Sequence, residues 1–231
     1  VLLAFSTASV GVRKVITAFW DIDGTLVRSP GTRADLFAVA IASLGVEPVE
    51  PDGPRDGFTD RRLAELHLRT SGLDVARVDE FLDLLDDMSE TFYGHSPREP
   101  VPGAREALQL TRSAGWRNGL LTGNTPRRAK VKLQTSGFDL AAIDWTLFAS
   151  GGFVTDRAQL GRQARALAGE GPLVVLGDTL QDALAARAAG ASFVAVNTDA
   201  QLLEALAGSA VLAVDSLASD EFLAFVESHT G

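Results

Sequence analysis

Short apolar segments alternate with helical segments along most of this chain, and this alternation limits the possible folds more than any other feature. Strands are predicted at the apolar runs Val15–Trp20, Arg117–Leu121, Trp145–Ala149, Leu173–Leu176, Phe193–Val196 and Val211–Val214. The fourth run is apolar at every position, as expected of a strand buried on both faces of a parallel sheet. The alternation predicts an α/β fold, a Rossmann-like parallel sheet with helices on both faces.

Helices are predicted between these strands, at Gly103–Ala114, Pro126–Ser136, Arg157–Ala168, Gln181–Ala189 and Ala200–Ala207. The second of them has the clearest boundaries. It begins with a proline and ends before Gly137, and these residue types are common at the first turn of a helix and just past its end.

The segment from residue 30 to residue 98 interrupts the alternation. It has no convincing strand and is too long for a simple crossover between parallel strands. Apolar side chains recur in it at helical spacing between Val78 and Phe92. We therefore predict an inserted α-helical cap. The expected parts of the chain are an N-terminal extension at 1–14, an α/β core at 15–29 and 99–231, and the cap at 30–98.

Charge and composition exclude several kinds of partner and site. The chain has 30 acidic and 21 basic side chains, and its net charge of −9 argues against nucleic acid or an anionic membrane as the main partner. The lack of cysteine excludes disulfides, thiolate nucleophiles and cysteine-ligated metals, and it is compatible with the cytoplasm. No apolar run approaches the ~18 residues of a membrane span. The basic residues of the N-terminal extension, Arg13 and Lys14, follow its apolar stretch, whereas those of a signal peptide precede it.

The first candidate site is an acidic pair directly after the first predicted strand. Asp21 and Asp23 are two residues apart, so in an extended segment both carboxylates point the same way. Open α/β sheets bind ligands at the carboxyl ends of their strands. Two carboxylates there can divide roles between a nucleophile or metal ligand and a general acid or base.

A second acidic site follows the strand at Leu173–Leu176. Asp178 lies at the end of that strand, and Asp182 is one helical turn further on. Together with Asp21 these oxygen donors suit Mg²⁺. Asp182 is also well placed to cap the helix that begins there, an interpretation that leaves Asp178 unexplained.

Two further sites could bind an anion. Thr122, Gly123 and Asn124 end a strand just before a predicted helix, and a hydroxyl, a glycine and an amide at such a point can form a small anion cradle. Arg157 follows a glycine-rich segment and could neutralise a phosphoryl oxygen.

The four sites together resemble the motifs of the haloacid dehalogenase-like hydrolase superfamily, in its phosphatase branch. The matching segments are DIDGTL at 21–26, LLTGN at 120–124 and GDTLQD at 177–182. The resemblance extends from Val15 to Val226, places a helical C1-type cap at the insert, and is nearest to enzymes of the phosphoglycolate-phosphatase kind.

This resemblance implies a role for each candidate residue. Asp21 would accept the phosphoryl group as an aspartyl-phosphate, and Asp23 would protonate the leaving oxygen and then activate water. Magnesium would be held by Asp21, the backbone carbonyl of Asp23 and Asp178, with Asp182 in support. The phosphoryl oxygens would be held by Thr122, Gly123, Asn124 and Arg157.

The third motif departs from the family pattern, which commonly has a lysine. The chain has eighteen arginines and three lysines among its 21 basic residues. Lys130 and Lys132 belong to the helix after Thr122 and so lie outside the expected interval. Arg157 is the arginine nearest the preceding strand end, and we expect it to replace the lysine.

The predicted function is a Mg²⁺-dependent phosphatase that hydrolyses a small phosphorylated metabolite through an aspartyl-phosphate. Two alternatives stay open. One is a phosphomutase of the same superfamily, and the other is a catalytically idle relative that binds a phosphorylated ligand. The pair Asp21 and Asp23 argues against the idle relative, because a binding protein needs no nucleophile and acid. Arginines of the insert, Arg55, Arg61, Arg62 and Arg69, could reach an anionic leaving group if the cap folds over the site.

Overall fold

A computed structural model describes residues 15–29, 35–197, 200–206 and 210–229 of the chain. Its strands are β1 (Thr17–Trp20), β2 (Val27–Arg28), β3 (Glu99–Pro100), β4 (Arg117–Thr122), β5 (Phe148–Ser150), β6 (Leu173–Gly177), β7 (Ser192–Val196) and β8 (Leu212–Val214). Its α-helices are α1 (Leu36–Ser43), α2 (Asp60–Thr70), α3 (Val78–His95), α4 (Ala104–Ser113), α5 (Pro126–Thr135), α6 (Arg157–Ala168), α7 (Leu180–Ala189), α8 (Ala200–Leu206) and α9 (Asp220–Ser228). The predicted extension at 1–14 lies outside the described residues, as does Ala207.

Six strands form one parallel sheet in the order β5-β4-β1-β6-β7-β8. The chain first builds outward from β1 on one side, through β4 and β5, and then returns to the other side of β1 through β6, β7 and β8. In open α/β sheets the crevice beyond the strand ends at such a reversal is where ligands bind. The predicted α/β fold is confirmed, and β1 lies at the centre of that crevice.

Residues of β1 alternate between two apolar layers, as a fully buried strand requires. Ala18 and Trp20 belong to the layer beneath α4, α5 and α9. Phe19 belongs to the opposite layer, beneath α6 and α7. Helices therefore cover both faces of the sheet, and polar side chains gather at its edge, after the strand ends.

One sequence prediction needs correction in the core, and one helix there was not predicted. Strand β5 begins at Phe148 rather than Trp145, because Asp144 accepts hydrogen bonds from both the backbone and the hydroxyl of Thr146 and so forms a turn there. The patterns above also do not predict α9, although Ser219 caps it by accepting a hydrogen bond from the backbone of Phe222.

Helices α1, α2 and α3 of the predicted cap share an apolar cluster separate from the two layers of the sheet. The chain enters and leaves this region through a short antiparallel ribbon in which Val27 pairs with Pro100 and Arg28 with Glu99. The sequence shows no convincing strand there, because two residues are too few for a periodic pattern. No helix in the described ranges has the length and apolar character needed to cross a membrane.

Candidate active site

The carboxyl ends of β1, β4 and β6 bring most of the predicted site residues to one cavity of about 780 Å³. The predicted site residues on its wall are Asp21, Asp23, Gly123, Asn124, Arg157 and Asp178. Thr122 and Asp182 are fully buried just behind this wall. Residues from all three cap helices and from the loop before α2 also line the cavity, so the cap is seated over the strand ends.

One side of the cavity is crowded with carboxylates. Asp21, Asp178 and Asp182 each offer an oxygen within 4.8 Å of the others. Burial, together with the charges of the neighbouring carboxylates, raises the pKa of Asp21 well above its usual value despite the opposing effect of Arg157. Burial and the charge of Asp182 raise the pKa of Asp178 to about 7. A divalent cation among these oxygens would relieve the repulsion, and hard oxygen donors are what Mg²⁺ prefers.

Gly24 allows this crowding. Its φ of +95° lies in the left-handed region, and a Cβ atom there would be 1.9 Å from Oδ2 of Asp178. The next residue, Thr25, donates a hydrogen bond to Oδ1 of Asp178 at 3.1 Å. The turn after β1 therefore fits against the strand end of β6 only with glycine at this position.

Asp182 has two structural partners in addition to its place near the metal candidates. Its Oδ2 accepts hydrogen bonds from the backbone and hydroxyl of Thr179, forming a capping box at the start of α7. Its Oδ1 is paired with Arg157. The helix-cap interpretation thus describes one of its oxygens, and the proximity to Asp21 and Asp178 agrees with a supporting place behind a metal.

Arg157 begins α6, where Asp156 caps the helix, and its side chain is only 4% exposed. Its Nη2 contacts Oδ1 of Asp21 at 2.5 Å, and its Nη1 donates to the carbonyl of Gly57 in the cap at 3.3 Å. Burial disfavours its charge, but the carboxylates of Asp182 and Asp21 outweigh burial and hold its pKa above the usual value. The predicted arginine does reach the nucleophile candidate.

The segment that follows β4 contacts Asp23 on one side and the cap on the other. Thr122 Oγ1 accepts hydrogen bonds from the backbone and side-chain amide of Asn124, at 3.2 and 2.8 Å. The same amide donates to Oδ2 of Asp23 at 2.7 Å. The carbonyl of Gly123 accepts from the backbone of Asp60 in the cap at 2.7 Å. A Cβ at Gly123 would come within 2.5 Å of the Phe58 carbonyl, so this close approach also requires glycine.

Sequence reasoning missed Lys132, which lies in the site. Its Nζ is 2.6 and 2.8 Å from the two carboxylate oxygens of Asp23. The sequence assigned Lys132 to the helix after Thr122, outside the interval of the third motif, and that helix, α5, runs beside the cavity so that its second turn reaches Asp23. Asp23 keeps 47% of its side chain open to the cavity. Burial beneath the cap acts to raise the pKa of Asp23, but the Lys132 charge and the hydrogen bond from Asn124 outweigh burial and lower this pKa to about 2.

Sequence reasoning also missed a buried ion pair between α5 and the cap. Arg128 Nη2 is 3.0 Å from Oδ1 of Asp60, and both side chains are 4% exposed. The other oxygen of Asp60 accepts from the backbone of Thr125 at 2.9 Å. The available signal was the spacing of Arg128 and Lys132, four residues apart and therefore on one face of α5.

The arginines of the insert are largely engaged elsewhere. Arg55 pairs with Glu50, and Arg61 pairs with Asp79. Arg62 lies over the ring of Phe58, 3.7 Å from its centroid. Of the four arginines expected to reach a leaving group, Arg55 lines the cavity, whereas Arg61, Arg62 and Arg69 do not.

Several solved structures share this fold. CbbY from Rhodobacter sphaeroides in complex with phosphate is 18% identical over 89% of this chain and 96% of its own, with a TM-score of 0.68. β-Phosphoglucomutase from Clostridium difficile is 14% identical over 93% of this chain and 97% of its own, with a TM-score of 0.65. A HAD hydrolase, family IA, variant 3, from Entamoeba histolytica is 18% identical over 92% of this chain and 100% of its own, with a TM-score of 0.62.

At these identities the likeness shows the fold alone. No curated protein matches the chain. A family model described as haloacid dehalogenase-like hydrolase matches residues 17–190, which is well over half of the sequence. That span begins at β1, includes the helical insert and ends after α7, so it contains all the residues of the cavity wall described above except Asn197 and Ala205. The chain belongs to the haloacid dehalogenase-like hydrolase family.

Proposed function

We propose that this hydrolase is a Mg²⁺-dependent phosphatase acting on a small phosphate monoester, with Asp21 as the nucleophile. The observation that carries the proposal is the convergence of Asp21, Asp23 and Asp178 on one cap-covered cavity with Arg157 against Asp21. CbbY, a fold relative, binds phosphate in its solved complex. The absence of cysteine fits a reducing compartment, and we extend the proposal to the cytoplasm.

In the first step a carboxylate oxygen of Asp21 attacks phosphorus, and the bond from phosphorus to the ester oxygen breaks. Arg157 already contacts Oδ1 of Asp21, so it orients this carboxylate with Oδ2 as the attacking atom. It also brings positive charge to the place where phosphoryl oxygens gather charge. Gly123 offers a backbone donor on the neighbouring wall, whereas the side-chain amide of Asn124 already donates to Thr122 and Asp23.

Asp23 handles the proton in both steps. It gives a proton to the leaving oxygen in the first step and takes one from water when that water attacks the aspartyl-phosphate. With Lys132 on both of its oxygens and a pKa of about 2, Asp23 is ionised at neutral pH, the form that accepts the proton from water. To donate in the first step, Asp23 must first take up a proton from solvent, and loosening of the Lys132 contact favours this uptake by raising the pKa of Asp23.

Magnesium would be held by Asp21, Asp178 and the backbone carbonyl of Asp23, with Asp182 behind them. When bound, it supplies positive charge that screens the substrate phosphoryl group from the carboxylates. The close cap then limits access of bulk water to the reacting centre.

Release of inorganic phosphate from a generic aryl phosphate tests the proposal. We expect activity that depends on Mg²⁺, is lost on chelation and falls by about 10⁴-fold or more in Asp21→Asn, because the nucleophile is removed. Asp83→Asn, an exposed acid on α3, is the matched control and should keep full activity. Equal, metal-independent release by the wild type and Asp21→Asn would overturn the proposal.

A phosphomutase is the second candidate, and the fold likeness to β-phosphoglucomutase favours keeping it in the test. A mutase returns the phosphoryl group to an acceptor hydroxyl instead of to water. Incubation with a sugar phosphate, followed by phosphorus NMR, separates the two: free phosphate supports the phosphatase, and an isomeric sugar phosphate supports the mutase.

A further inference from the structure

We propose that Arg128 forms a subsite for a second anionic group, a carboxylate or a phosphate, on the leaving-group part of the substrate. The proposal rests on the proposed phosphatase function and narrows its substrate class. Arg128 lies on the wall of the same cavity as Asp21 and Asp23. Phosphate esters whose leaving group is anionic would therefore be preferred over esters whose leaving group is neutral.

The hydrogen-bonding state of Arg128 is the first argument. Its side chain is 4% exposed, and its ion pair with Asp60 uses Nη2. Its Nε and Nη1 are buried and have no hydrogen-bond partner among the described residues. Buried polar groups normally have partners, and a guanidinium offers five donors in a fixed plane that suits anionic oxygens. A ligand anion is a partner that these donors lack within the described protein.

The position of Arg128 relative to the reacting centre is the second argument. Lys132, four residues further along α5, touches the carboxylate of Asp23. Arg128 is therefore one helical turn along α5 from the lysine that touches the group that would protonate the leaving oxygen. Arg128 and Asp23 line the same cavity, and the charge of Arg128 helps to lower the pKa of Asp23, so an anionic group of a short leaving group can meet Arg128 while its ester oxygen lies at Asp23.

The surroundings of Arg128 are the third argument. The Phe37 ring from the cap lies 4.6 Å from its Cζ, which holds the guanidinium plane in a fixed place. Asp60 supplies one carboxylate, but it is shared with the backbone of Thr125. Lys132 lies on the same helix face but is already paired with both oxygens of Asp23, so on this face it is Arg128 whose buried donors lack a partner among the described residues.

Three esters that differ in one group provide the test: 2-phosphoglycolate, 2-hydroxyethyl phosphate and ethane-1,2-diol bisphosphate. We expect the wild-type kcat/KM to be at least ~10-fold higher for one of the two charged esters than for the neutral one. The identity of the preferred charged ester shows whether the subsite binds a carboxylate or a phosphate. In Arg128→Gln the kcat/KM for the preferred ester should fall by about 10- to 100-fold, with less than ~3-fold change for 2-hydroxyethyl phosphate.

Arg127→Gln is the matched control, because Arg127 is the preceding residue of α5, pairs with Asp87 and does not line the cavity. It should keep the wild-type preference. Arg128→Lys, which keeps the charge, should retain part of it, and thermal unfolding checks that each variant folds. Equal wild-type rates on all three esters, or an equal loss on all three in Arg128→Gln, would overturn the subsite and leave Arg128 a purely structural residue.

Failure of the phosphatase proposal gives a different result, namely no Mg²⁺-dependent phosphate release from any ester. The subsite then still has a readout in calorimetric binding of 2-phosphoglycolate, ethane-1,2-diol bisphosphate and 2-hydroxyethyl phosphate to the wild type and to Arg128→Gln. Tighter wild-type binding of a charged ester, lost in the variant, supports the subsite. Equal binding of all three contradicts it.

Discussion

The two sides of the cavity are built in different ways. The acidic wall, made of Asp21, Asp178 and Asp182, comes from two neighbouring strand ends and the helix turn that follows one of them. The basic face, made of Arg128 and Lys132, comes from the side of a single helix, α5. The acidic wall is fixed by pairing within the sheet, whereas the basic face depends on how the cap packs against α5.

The acidic wall and the basic face therefore have different roles. Strand ends hold carboxylates rigidly at the place where a phosphoryl group would react. The helix face contacts the cap through Asp60 and the core through Asp23, so Arg128 holds the cap and Lys132 holds the proposed acid–base residue. Loss of the buried partner of the basic face should therefore mainly lower stability, whereas substitutions that disturb the acidic wall should mainly lower turnover.

The largest expected effect is loss of stability when the basic face loses its buried partner. Asp60→Ala leaves Arg128 buried without its counter-charge and leaves the Thr125 backbone donor without an acceptor. The free energy of unfolding should fall by about 3 kcal/mol, measured by urea denaturation. Asp79→Ala removes the exposed pair with Arg61 and should cost at most about 1 kcal/mol. An equal loss in the free energy of unfolding for the two variants would show that the buried pair stabilises the protein no more than the exposed pair.

A somewhat smaller effect is expected in turnover when the acidic wall is disturbed. Gly24→Ala would push against Asp178, and a displacement of this carboxylate by about 1 Å should lower kcat/KM by about 100-fold.

Gly53→Ala is its matched control, since Gly53 has a similar φ of +83° but open space where a Cβ would lie. Both variants should lose about 1 kcal/mol of stability from backbone strain, and only Gly24→Ala should lose activity. Normal activity in Gly24→Ala would mean that the position of Asp178 is not critical.

The smallest effect is expected at the contact between the two sides. Lys132→Met keeps the length of the side chain but removes the positive charge that contacts Asp23. The pKa of Asp23 should therefore rise from about 2 towards its ordinary value. We expect kcat/KM on an aryl phosphate to fall by about 10-fold, because Asp23 loses the contact that positions it. Lys130→Met, an exposed lysine on the same helix, should be neutral. An equal response of the two lysine variants would remove Lys132 from the site.

Much of the fold could be predicted from the sequence because buried parallel strands leave continuous apolar runs. All six strands of the main sheet coincide with predicted runs, although β5 starts three residues later. The ribbon of β2 and β3 could not be predicted in this way, since its two-residue strands are held by pairing across 71 residues of sequence separation at Arg28 and Glu99. Strand order likewise depends on packing of the helices and leaves no local signal.

The acidic wall could be predicted because its residues directly follow strands, in short motifs. Lys132 and Arg128 could not, because they are ordinary helix residues in sequence. What makes them functional candidates is the contact of Lys132 with Asp23 and of Arg128 with Asp60, partners 109 and 68 residues away. Such pairings across domains are visible only once the cap and α5 are placed together.

The ribbon that carries the chain into and out of the insert has a consequence for how such a protein can be altered. Because Val27 lies beside Pro100 and Arg28 beside Glu99, the two ends of the insert are only about 5 Å apart. The entropy of closing a loop grows slowly with its length, so inserts of very different size fit between these two ends. The backbone of the insert is therefore joined to the core at a single place, and a short turn from Arg28 to Glu99 is enough to bridge it without including any strand of the main sheet.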